Sequence, residues 1–208
     1  SGARFQVVVQ EGGQSLRLGE VQICIPGRHN VLNALAVVAV ARHLNIPFEK
    51  IVVGLASFRG VRRRFDVRWR SQDGTRVIVD DYGHHPTEVA ATLEAARSFW
   101  GGRILTVFQP HRYTRTLHCR EGFLRAFKAV KDLHVTDIYA AGEAPIDGVS
   151  ADALAHAVGG KYVGSLEQAA VLLSAQMKSG DLILCLGAGS ITKLPDLILE
   201  QLKKADRT

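Results

Sequence analysis

The stretch TRVIVDDYGHHPTEVAATLEAARSFWGGRILTVFQPHRYTR, residues 75–115, decides the fold because it places one helix between two apolar strands. The strands are predicted at 75–82 and 103–108, where β-branched and other apolar residues are concentrated. The helix is predicted at 86–99. A strand–helix–strand unit of this kind favours parallel strands, and both strands run directly into a polar cluster.

The same alternation of helix and strand continues to the end of the chain. Helices are predicted near 114–131, 150–158, 165–178 and 193–204, and strands at 134–139, 161–163 and 181–186. Before the opening stretch, 64–70 is predicted as a strand that pairs with 75–82 through a hairpin turn at Asp73-Gly74. The pattern predicts an α/β fold with a mainly parallel sheet and flanking helices.

The residues before 62 follow a different pattern. Strands are predicted at 4–10 and 21–25 with a Gly-rich turn region at 11–19, and helices at Val31–Leu44, stopped by Asn45, and at 47–56. The first of these helices is apolar almost all round, which predicts burial on most of its faces.

Polar clusters follow several of the predicted strands. They are DDYGHH (80–85), QPHRYTRT (109–116), AAGE (140–143) and GAGS (187–190). Parallel sheets bind their ligands at the carboxyl ends of the strands, so these clusters are expected to meet at one edge of the sheet.

The DDYGHH cluster is open to three interpretations. Adjacent residues of an extended strand point to opposite faces, so Asp80 and Asp81 do not both face one ligand unless the strand has ended. No metal-binding spacing such as HExxH occurs, and no protein-held metal is expected. A structural role, with His85 or Pro86 starting a helix, is the second interpretation. The favoured one is a carboxylate that receives sugar hydroxyls beside a histidine that donates to an anion.

The QPHRYTRT cluster predicts an anion site. Arg112 and Arg115 are three residues apart and would share a face in the first turn of a helix. Two guanidinium groups there suit a carboxylate or phosphate held bidentately, and the amides of the helix N-terminus would add to the attraction. A solvated pair of surface arginines is the alternative.

Two further motifs give weaker signals. GAGS lacks the dinucleotide fingerprint because Thr192 stands where the third glycine is needed, so nicotinamide binding is not expected and a close backbone approach to a ligand is favoured. In RHNVLN, His29, Asn30 and Asn33 lie at a helix start. Asn30 is either a helix cap or a contact for the edge of adenine.

Composition excludes several classes of protein. The formal net charge of +6 comes largely from Arg59, Arg62, Arg63, Arg64, Arg68 and Arg70. No RNA-binding motif or basic recognition helix accompanies them, so no nucleic-acid partner is expected. No apolar run is long enough for a membrane span, and the 3 widely spaced cysteines fit a reducing cytoplasm. The chain begins with Ser1-Gly2 instead of methionine, which indicates a piece of a longer chain.

In combination, HNVLNALA, GVRRRFD, DDYGHHPTE and FQPHRYTRT resemble the Mur ligases, ATP-dependent enzymes that add amino acids to peptidoglycan precursors. AGEAPIDGVS and GAGSITKL extend the resemblance over nearly the whole chain. It is strongest to the member that joins L-alanine to UDP-N-acetylmuramate. The murein peptide ligase of cell-wall recycling shares HHPT but has a different arginine loop.

The resemblance implies a domain organisation. The family has a UDP-sugar domain, a central ATPase domain and a Rossmann-like C-terminal domain. Residues 1–61 would be the C-terminal part of the central domain, and 62–208 the C-terminal, amino-acid-binding domain.

The resemblance also implies roles for individual residues. The residues matched to ATP binding are Asn30 and Asn33 for adenine, Arg64 near the phosphates and Asp81 for the ribose hydroxyls. The residues matched to the carboxylate of the amino acid or product are His84, His111, Arg112 and Arg115.

The implied partners are UDP-N-acetylmuramate, L-alanine, ATP and the remaining domains of the same cytoplasmic ligase, with no membrane. No Gly-x-x-x-x-Gly-Lys-Ser/Thr phosphate loop occurs in the chain, and the magnesium ligands of the central domain are expected upstream. The chain alone is therefore expected to hold neither ATP nor Mg²⁺ and to be inactive. A non-catalytic anion- or nucleic-acid-binding module and a metal-dependent hydrolase using Asp81, His84 and His85 are the alternatives.

Overall fold

The computed structural model describes residues 2–25 and 27–205. They form two compact units, of which one ends at Val61 and the other begins at Arg62. None of the helices within these residues is long and apolar enough to cross a membrane.

The first unit contains a β-hairpin and two helices. The strands are β1 (Ala3–Glu11) and β2 (Gln14–Ile23), and the helices are α1 (Arg28–His43) and α2 (Phe48–Ser57). The predicted turn region at 11–19 is wrong, because β2 already begins at Gln14. Gly12 and Gly13 both have positive φ, 56° and 80°, which lets two residues close the hairpin without a steric cost.

Helix α1 buries one face. Val38 is 2% exposed, whereas Val37 and Val40 are 50% and 61% exposed. The prediction of burial on most faces is therefore wrong: an apolar run does not reveal how many elements of the fold pack on a helix. The predicted stop is confirmed, since α1 ends at His43 and Asn45 has a φ of 58°.

The second unit is built on a six-stranded sheet in the order β3-β4-β8-β5-β6-β7. The strands are β3 (Asp66–Arg70), β4 (Val77–Asp81), β5 (Arg103–Phe108), β6 (Asp132–Val135), β7 (Lys161–Tyr162) and β8 (Asp181–Leu186). Strand β3 is antiparallel to β4, and the other pairings are parallel. The predicted mainly parallel α/β sheet is confirmed.

Helices cover both faces of this sheet. They are α3 (Pro86–Phe99), α4 (Tyr113–His118), α5 (Arg120–Phe127), α6 (Ala151–Ala157), α7 (Leu166–Gln176) and α8 (Leu194–Ala205), the last preceded by a 3₁₀ turn at Ser190–Lys193. Residues of α3, α5 and α6 pack on one face, and residues of α7 and α8 on the other. Alternate residues of β8 enter the two cores, with Leu184 in the first and Ile183 in the second.

Two elements differ from the prediction. The helix predicted at 114–131 is two helices, because the backbone of Cys119, with φ −96° and ψ 9°, leaves helical geometry. The strand predicted at 134–139 is β6, which ends at Val135. The Thr136 N–H still donates to the Phe108 carbonyl of β5 at 3.0 Å, but the next N–H, of Asp137, donates to the Gly164 carbonyl at 2.9 Å.

Strand β8 lies between β4 and β5, which the chain connects through α3. The chain runs from β4 through β5, β6 and β7 and then returns to β8, so the direction of the strand order reverses here. In open α/β sheets, the crevice outside the carboxyl ends of the strands at such a reversal binds ligands. The last residues of the three strands are in register, with Leu186 paired to both Asp81 and Phe108. Side chains that follow β4, β8 and β5 are thus brought to the same edge.

Candidate functional site

The polar segments after β4, β5 and β8 meet at this edge of the sheet, as predicted. The Gly187 N–H donates to the Asp81 carbonyl at 3.0 Å, which joins the ends of β8 and β4. The rings of His84 and His111 have centres 5.8 Å apart, and the Tyr139 ring stacks on His111 at 5.5 Å. Because Tyr139 follows β6, the segment after β6 also lies at this edge.

His84 is fixed by its own loop and by α3. Its Nδ1 atom lies 3.0 Å from the backbone oxygen of Tyr82. A carbonyl oxygen only accepts, so Nδ1 carries a hydrogen and donates it. The Glu88 carboxylate lies 3.3 Å from the same nitrogen. Nε2 is thus the ring nitrogen of His84 that can be presented to a ligand.

His111 adopts the opposite tautomer. A guanidinium nitrogen of Arg115 lies 3.2 Å from Nδ1 of His111, and because arginine only donates, this Nδ1 accepts. Burial lowers the pKa of His111, and the nearby Arg115 and His84 lower it further. His111 is therefore neutral, with its proton on Nε2.

His85 starts helix α3, so its structural interpretation is confirmed. Its side chain accepts from the Thr87 N–H at 3.4 Å, and Pro86 is the first helical residue. The Glu88 carboxylate accepts from the N–H groups of His84 and His85 at 3.1 and 3.2 Å, which completes a capping box. Burial opposes the ionisation of Glu88, but these hydrogen bonds outweigh it and lower its pKa.

Arg112 and Arg115 do not share the first turn of a helix, and that prediction is wrong. Helix α4 begins at Tyr113, and Arg112 precedes it with a φ of 71°. Arg112 is therefore the residue before the helix and does not belong to its first turn. Its guanidinium is half exposed and lies 3.9 Å from Glu143, whereas Arg115 contacts His111.

Glu143 occupies the start of α4. Its carboxylate accepts from the Thr114 hydroxyl at 2.7 Å and from the Thr114 N–H at 3.1 Å. These hydrogen bonds, the hydroxyl first, lower the pKa of Glu143. The expected attraction between a ligand and the helix amides is thus not available at Thr114, since a carboxylate of the protein already accepts from it.

Asp81 points toward α3 and is held by protein donors. Its carboxylate accepts from the backbone N–H groups of Phe65 and Gly83, both at 2.8 Å. The Thr92 hydroxyl donates to it at 3.0 Å. Asp81 is buried and fastens the segment before β3 to the end of β4. Its contact with ribose stays a prediction.

Asp80 points to the opposite side of β4, as the strand geometry predicts. One carboxylate oxygen accepts from the Thr192 hydroxyl at 2.7 Å and lies 3.7 Å from Arg63 and 3.6 Å from Arg68. Burial raises the pKa of Asp80, although the Thr192 hydrogen bond and the two arginines favour the ionised form. Asp80 therefore belongs to a buried ionic cluster within the fold.

Arg63 and Tyr82 are two residues of this edge that the sequence does not single out. The Arg63 guanidinium donates to the carbonyls of Gly187 and Gly189, and it lies 4.7 Å from the centre of the Tyr82 ring. Arg64, which the resemblance matches to a position near the ATP phosphates, lies 5.6 Å from the same ring and 3.7 Å from Glu88. An aromatic residue at a strand end, between an acid and a histidine, is the signal that could have identified Tyr82.

The glycines of the GAGS turn are required by neighbouring protein groups. A Cβ atom at Gly189 would lie 2.5 Å from the Tyr139 ring and 2.6 Å from the side-chain oxygen of Gln109. At Gly187, which has a φ of 150°, a Cβ would lie 2.9 Å from the Gln109 carbonyl. The close approach that the motif predicts is thus an approach to Tyr139 and Gln109.

Asn30 and Asn33 line one groove of the first unit. The groove has a volume of about 390 Å³, and its walls are otherwise mainly apolar, with Ile25 and Phe58 among them. Asn30 is the third residue of α1, which starts after Gly27, so its interpretation as the helix cap is wrong. An apolar groove edged by amides suits a flat purine ring, whose edge both donates and accepts hydrogen bonds.

The family described as Mur ligase, glutamate ligase domain matches residues 63–189, which include the ends of β4, β5 and β8. The chain belongs to the Mur ligase family. Within it, the curated relatives that this Mur ligase chain matches include two UDP-N-acetylmuramate–L-alanine ligases. The enzyme of Syntrophotalea carbinolica is 47% identical over 199 residues, and that of Geotalea uraniireducens is 46% identical over 192 residues.

These alignments cover 93% and 89% of this Mur ligase chain but 43% and 42% of the two relatives. The chain therefore spans less than half the length of the curated relatives it matches. Among solved structures, the UDP-N-acetylmuramate-alanine ligase of Thermotoga maritima superposes with a TM-score of 0.76 at 27% identity, over 91% of this chain and 41% of that one. The murein peptide ligase of Psychrobacter arcticus shares the fold, with a TM-score of 0.63 at 18% identity over 97% of this chain and 42% of that one.

Proposed function

We propose that the chain is the C-terminal portion of an ATP-dependent ligase that joins L-alanine to UDP-N-acetylmuramate in peptidoglycan precursor synthesis. One observation carries the proposal: the carboxyl edge of the sheet gathers His84, His111, Arg112 and Arg115. Relatives 46–47% identical that carry this activity in their names support the choice of substrates.

The proposed reaction activates a carboxylate. The lactyl carboxylate of UDP-N-acetylmuramate attacks the γ-phosphorus of ATP, which gives an acyl phosphate and ADP. The amine of L-alanine then attacks the acyl carbon, the bond to the phosphate oxygen breaks, and phosphate leaves as the amine loses a proton. Both steps need precise placement of reactants that carry negative charge.

Arg112 and Arg115 are proposed to bind the carboxylate of L-alanine. Arg112 is half exposed, and Arg115 has further N–H donors beyond the one directed at His111. His111 would donate from Nε2, and His84, whose Nδ1 is held by the Tyr82 carbonyl and Glu88, would contribute its Nε2 to the site. Binding the carboxylate aims the amine at the acyl carbon, and such orientation lowers a barrier by up to roughly 7–11 kcal/mol.

The nucleotide roles are also proposed. Asn30 and Asn33 would contact the adenine edge, Arg64 the phosphates, and Asp81 the ribose hydroxyls. Mg²⁺ on the ATP phosphates would neutralise charge during phosphoryl transfer. Among the described residues, no three His, Cys, Asp or Glu side chains are grouped to hold a metal ion. Its ligands are proposed to lie in the remaining domains of the ligase.

Residues 1–61 are proposed to be the C-terminal part of the central ATPase domain, and 62–208 the C-terminal, amino-acid-binding domain. The division of the structure between Val61 and Arg62 supports this assignment. The enzyme is proposed to act in the cytoplasm, together with the remaining domains of the same ligase.

The experiment is a kinetic comparison in the full-length ligase that contains this chain. Arg115→Ala is expected to raise the KM for L-alanine roughly tenfold or more, because a charge-assisted hydrogen bond to a carboxylate contributes about 1.5–3 kcal/mol. The matched control is Arg120→Ala, which removes an exposed arginine whose ion-pair partner is its neighbour Glu121. An unchanged KM in Arg115→Ala contradicts the assignment.

Two further outcomes separate the alternatives. If the full-length enzyme uses a murein peptide in preference to L-alanine, it is a recycling ligase with the same fold. The 208-residue chain alone is expected to produce no alanine-dependent ADP, because it contains no phosphate loop. Robust turnover by the chain alone argues against the proposal, and strongly salt-dependent retention on DNA would favour a nucleic-acid-binding module.

A further inference from the structure

Arg63 holds the turn that follows β8 by its backbone carbonyls. Its Nη2 donates to Gly187 O at 2.6 Å and to Gly189 O at 3.3 Å, and its Nη1 donates to Ala188 O at 3.4 Å. Its Nε lies 3.7 Å from the buried Asp80 carboxylate. Arg63 also has a φ of 61°, a conformation that residues other than glycine adopt at an energetic cost. The guanidinium is therefore fixed from two sides at a strained point of the backbone.

The turn held by Arg63 packs against Tyr139, and His111 stacks on the same ring. The α-carbon of Gly189 faces the Tyr139 ring so closely that a Cβ would lie 2.5 Å from it. Tyr139 stacks on His111 at 5.5 Å, and His111 accepts from Arg115 at 3.2 Å. Contacts thus run continuously from Arg63 to Arg115 through the turn and two aromatic rings.

We propose that Arg63 is a positioning residue for the carboxylate-binding pair His111 and Arg115. It acts by fixing the 187–189 turn, which sets the position of Tyr139 and through it the ring of His111. The inference rests on the proposed function for the identity of the ligand. The contacts from Arg63 to Arg115 do not depend on that function.

The geometry requires arginine at this position. A planar guanidinium offers several N–H donors in a fixed fork and can serve three neighbouring carbonyls, whereas the compact ammonium of lysine cannot span them. Arg63→Lys keeps a positive charge beside Asp80 but loses most of the hydrogen bonds to the carbonyls of the turn. The lysine variant therefore separates the charge of Arg63 from its geometry.

The test uses the ¹⁵N-labelled 208-residue chain and the ring ¹⁵N signals of His111, which distinguish its tautomers. The wild type is expected to show an accepting Nδ1 and a protonated Nε2. Arg63→Ala and Arg63→Lys are each expected to shift these signals toward the mixed values of a mobile imidazole, and to weaken L-alanine binding about tenfold in an NMR titration. Arg70→Ala is the control, because Arg70 lies over the Phe99 and Trp100 rings on another part of the sheet.

The outcomes distinguish this inference from the proposed function. Unchanged His111 signals in the folded Arg63 variants overturn the positioning role, whether or not L-alanine binding changes. Shifted His111 signals together with a wild type that does not respond to L-alanine support the positioning role and count against L-alanine as the ligand. If Arg63→Ala does not fold, Arg63→Lys decides the question, since it retains the charge next to Asp80.

Discussion

The two units of this Mur ligase chain use their apolar residues differently. In the second unit, all 6 residues of β8 are buried, because helices cover both faces of the sheet. In the first unit, Val38 of α1 is 2% exposed, whereas Val40, two residues further, is 61% exposed. The difference shows that the number of packed layers, more than the hydrophobicity of a segment, determines how much of it is buried.

The stability of each unit can be measured separately. The chain has 2 tryptophans, Trp69 and Trp100, and both lie in the second unit. Tryptophan fluorescence during urea unfolding therefore reports on the second unit. Amide hydrogen exchange of α1 reports on the first.

The largest effect is expected in the centre of the sheet. Leu184 is fully buried in β8, and Leu184→Ala leaves a cavity between the sheet and its helices. The free energy of unfolding of the second unit should fall by about 2–5 kcal/mol. A fall of less than about 1 kcal/mol in the free energy of unfolding, measured by fluorescence in urea, would mean that this core is not closed as described.

The next effect contrasts two valines of α1. Val38→Ala should lower the opening free energy of α1 by roughly 1–3 kcal/mol, because it removes buried methyl groups from the first unit. Val40→Ala removes the same atoms from an exposed position and should change it by less than about 0.5 kcal/mol. Amide exchange measures both variants, and equal effects would show that the exposed face of α1 is covered in solution.

Local sequence signals predicted much of the fold. Helix α3 spans Pro86–Phe99 as predicted, because a proline in the first turn and the cap around it are adjacent in sequence. Strands β5 and β8 also have their predicted bounds. The predictions failed at Cys119, where the backbone leaves helical geometry, and at Val135, after which the Asp137 N–H donates to the distant Gly164 carbonyl.

The location of the candidate site was predictable from the sequence, but the hydrogen bonds of its side chains were not. Topology alone predicted that His84 and His111 meet, since parallel strands bring their carboxyl ends to one edge. Their opposite tautomers were not predictable, because they depend on which nitrogen meets a carbonyl or an arginine. The role of Arg63 was hidden for a similar reason: its partner Gly187 is 124 residues away in sequence.

A pH effect is expected in the second unit. His134 is 3% exposed, and burial lowers its pKa below the ordinary value of 6.5. The unfolded chain therefore takes up this proton first as the pH falls. The contribution of His134 to the free energy of unfolding is fully present above about pH 6.5 and is lost below it. The slope of this free energy is at most about 1.4 kcal/mol per pH unit for one proton.

Urea unfolding followed by tryptophan fluorescence between about pH 5 and 7.5 measures this slope. His111, whose pKa is lowered in the same direction, adds to it in the wild type. His134→Leu should flatten the profile of the second unit. His43→Leu, at the end of α1 in the first unit, is the control and should leave that profile unchanged. A steep profile in His134→Leu would assign the dependence to other groups.

The smallest effect compares two buried hydroxyls of the second unit. The Thr106 hydroxyl is buried without a hydrogen-bond partner among the described residues, whereas the Thr192 hydroxyl donates to Asp80 at 2.7 Å. Thr106→Val replaces an unsatisfied polar group with a methyl group of similar shape and should raise the free energy of unfolding by up to about 1 kcal/mol. Thr192→Val removes a donor from a buried carboxylate and should lower it by about 1 kcal/mol or more. The two variants make the same chemical change, so opposite shifts of the fluorescence midpoint follow only if hydrogen bonding, and not the loss of a hydroxyl as such, sets their sign.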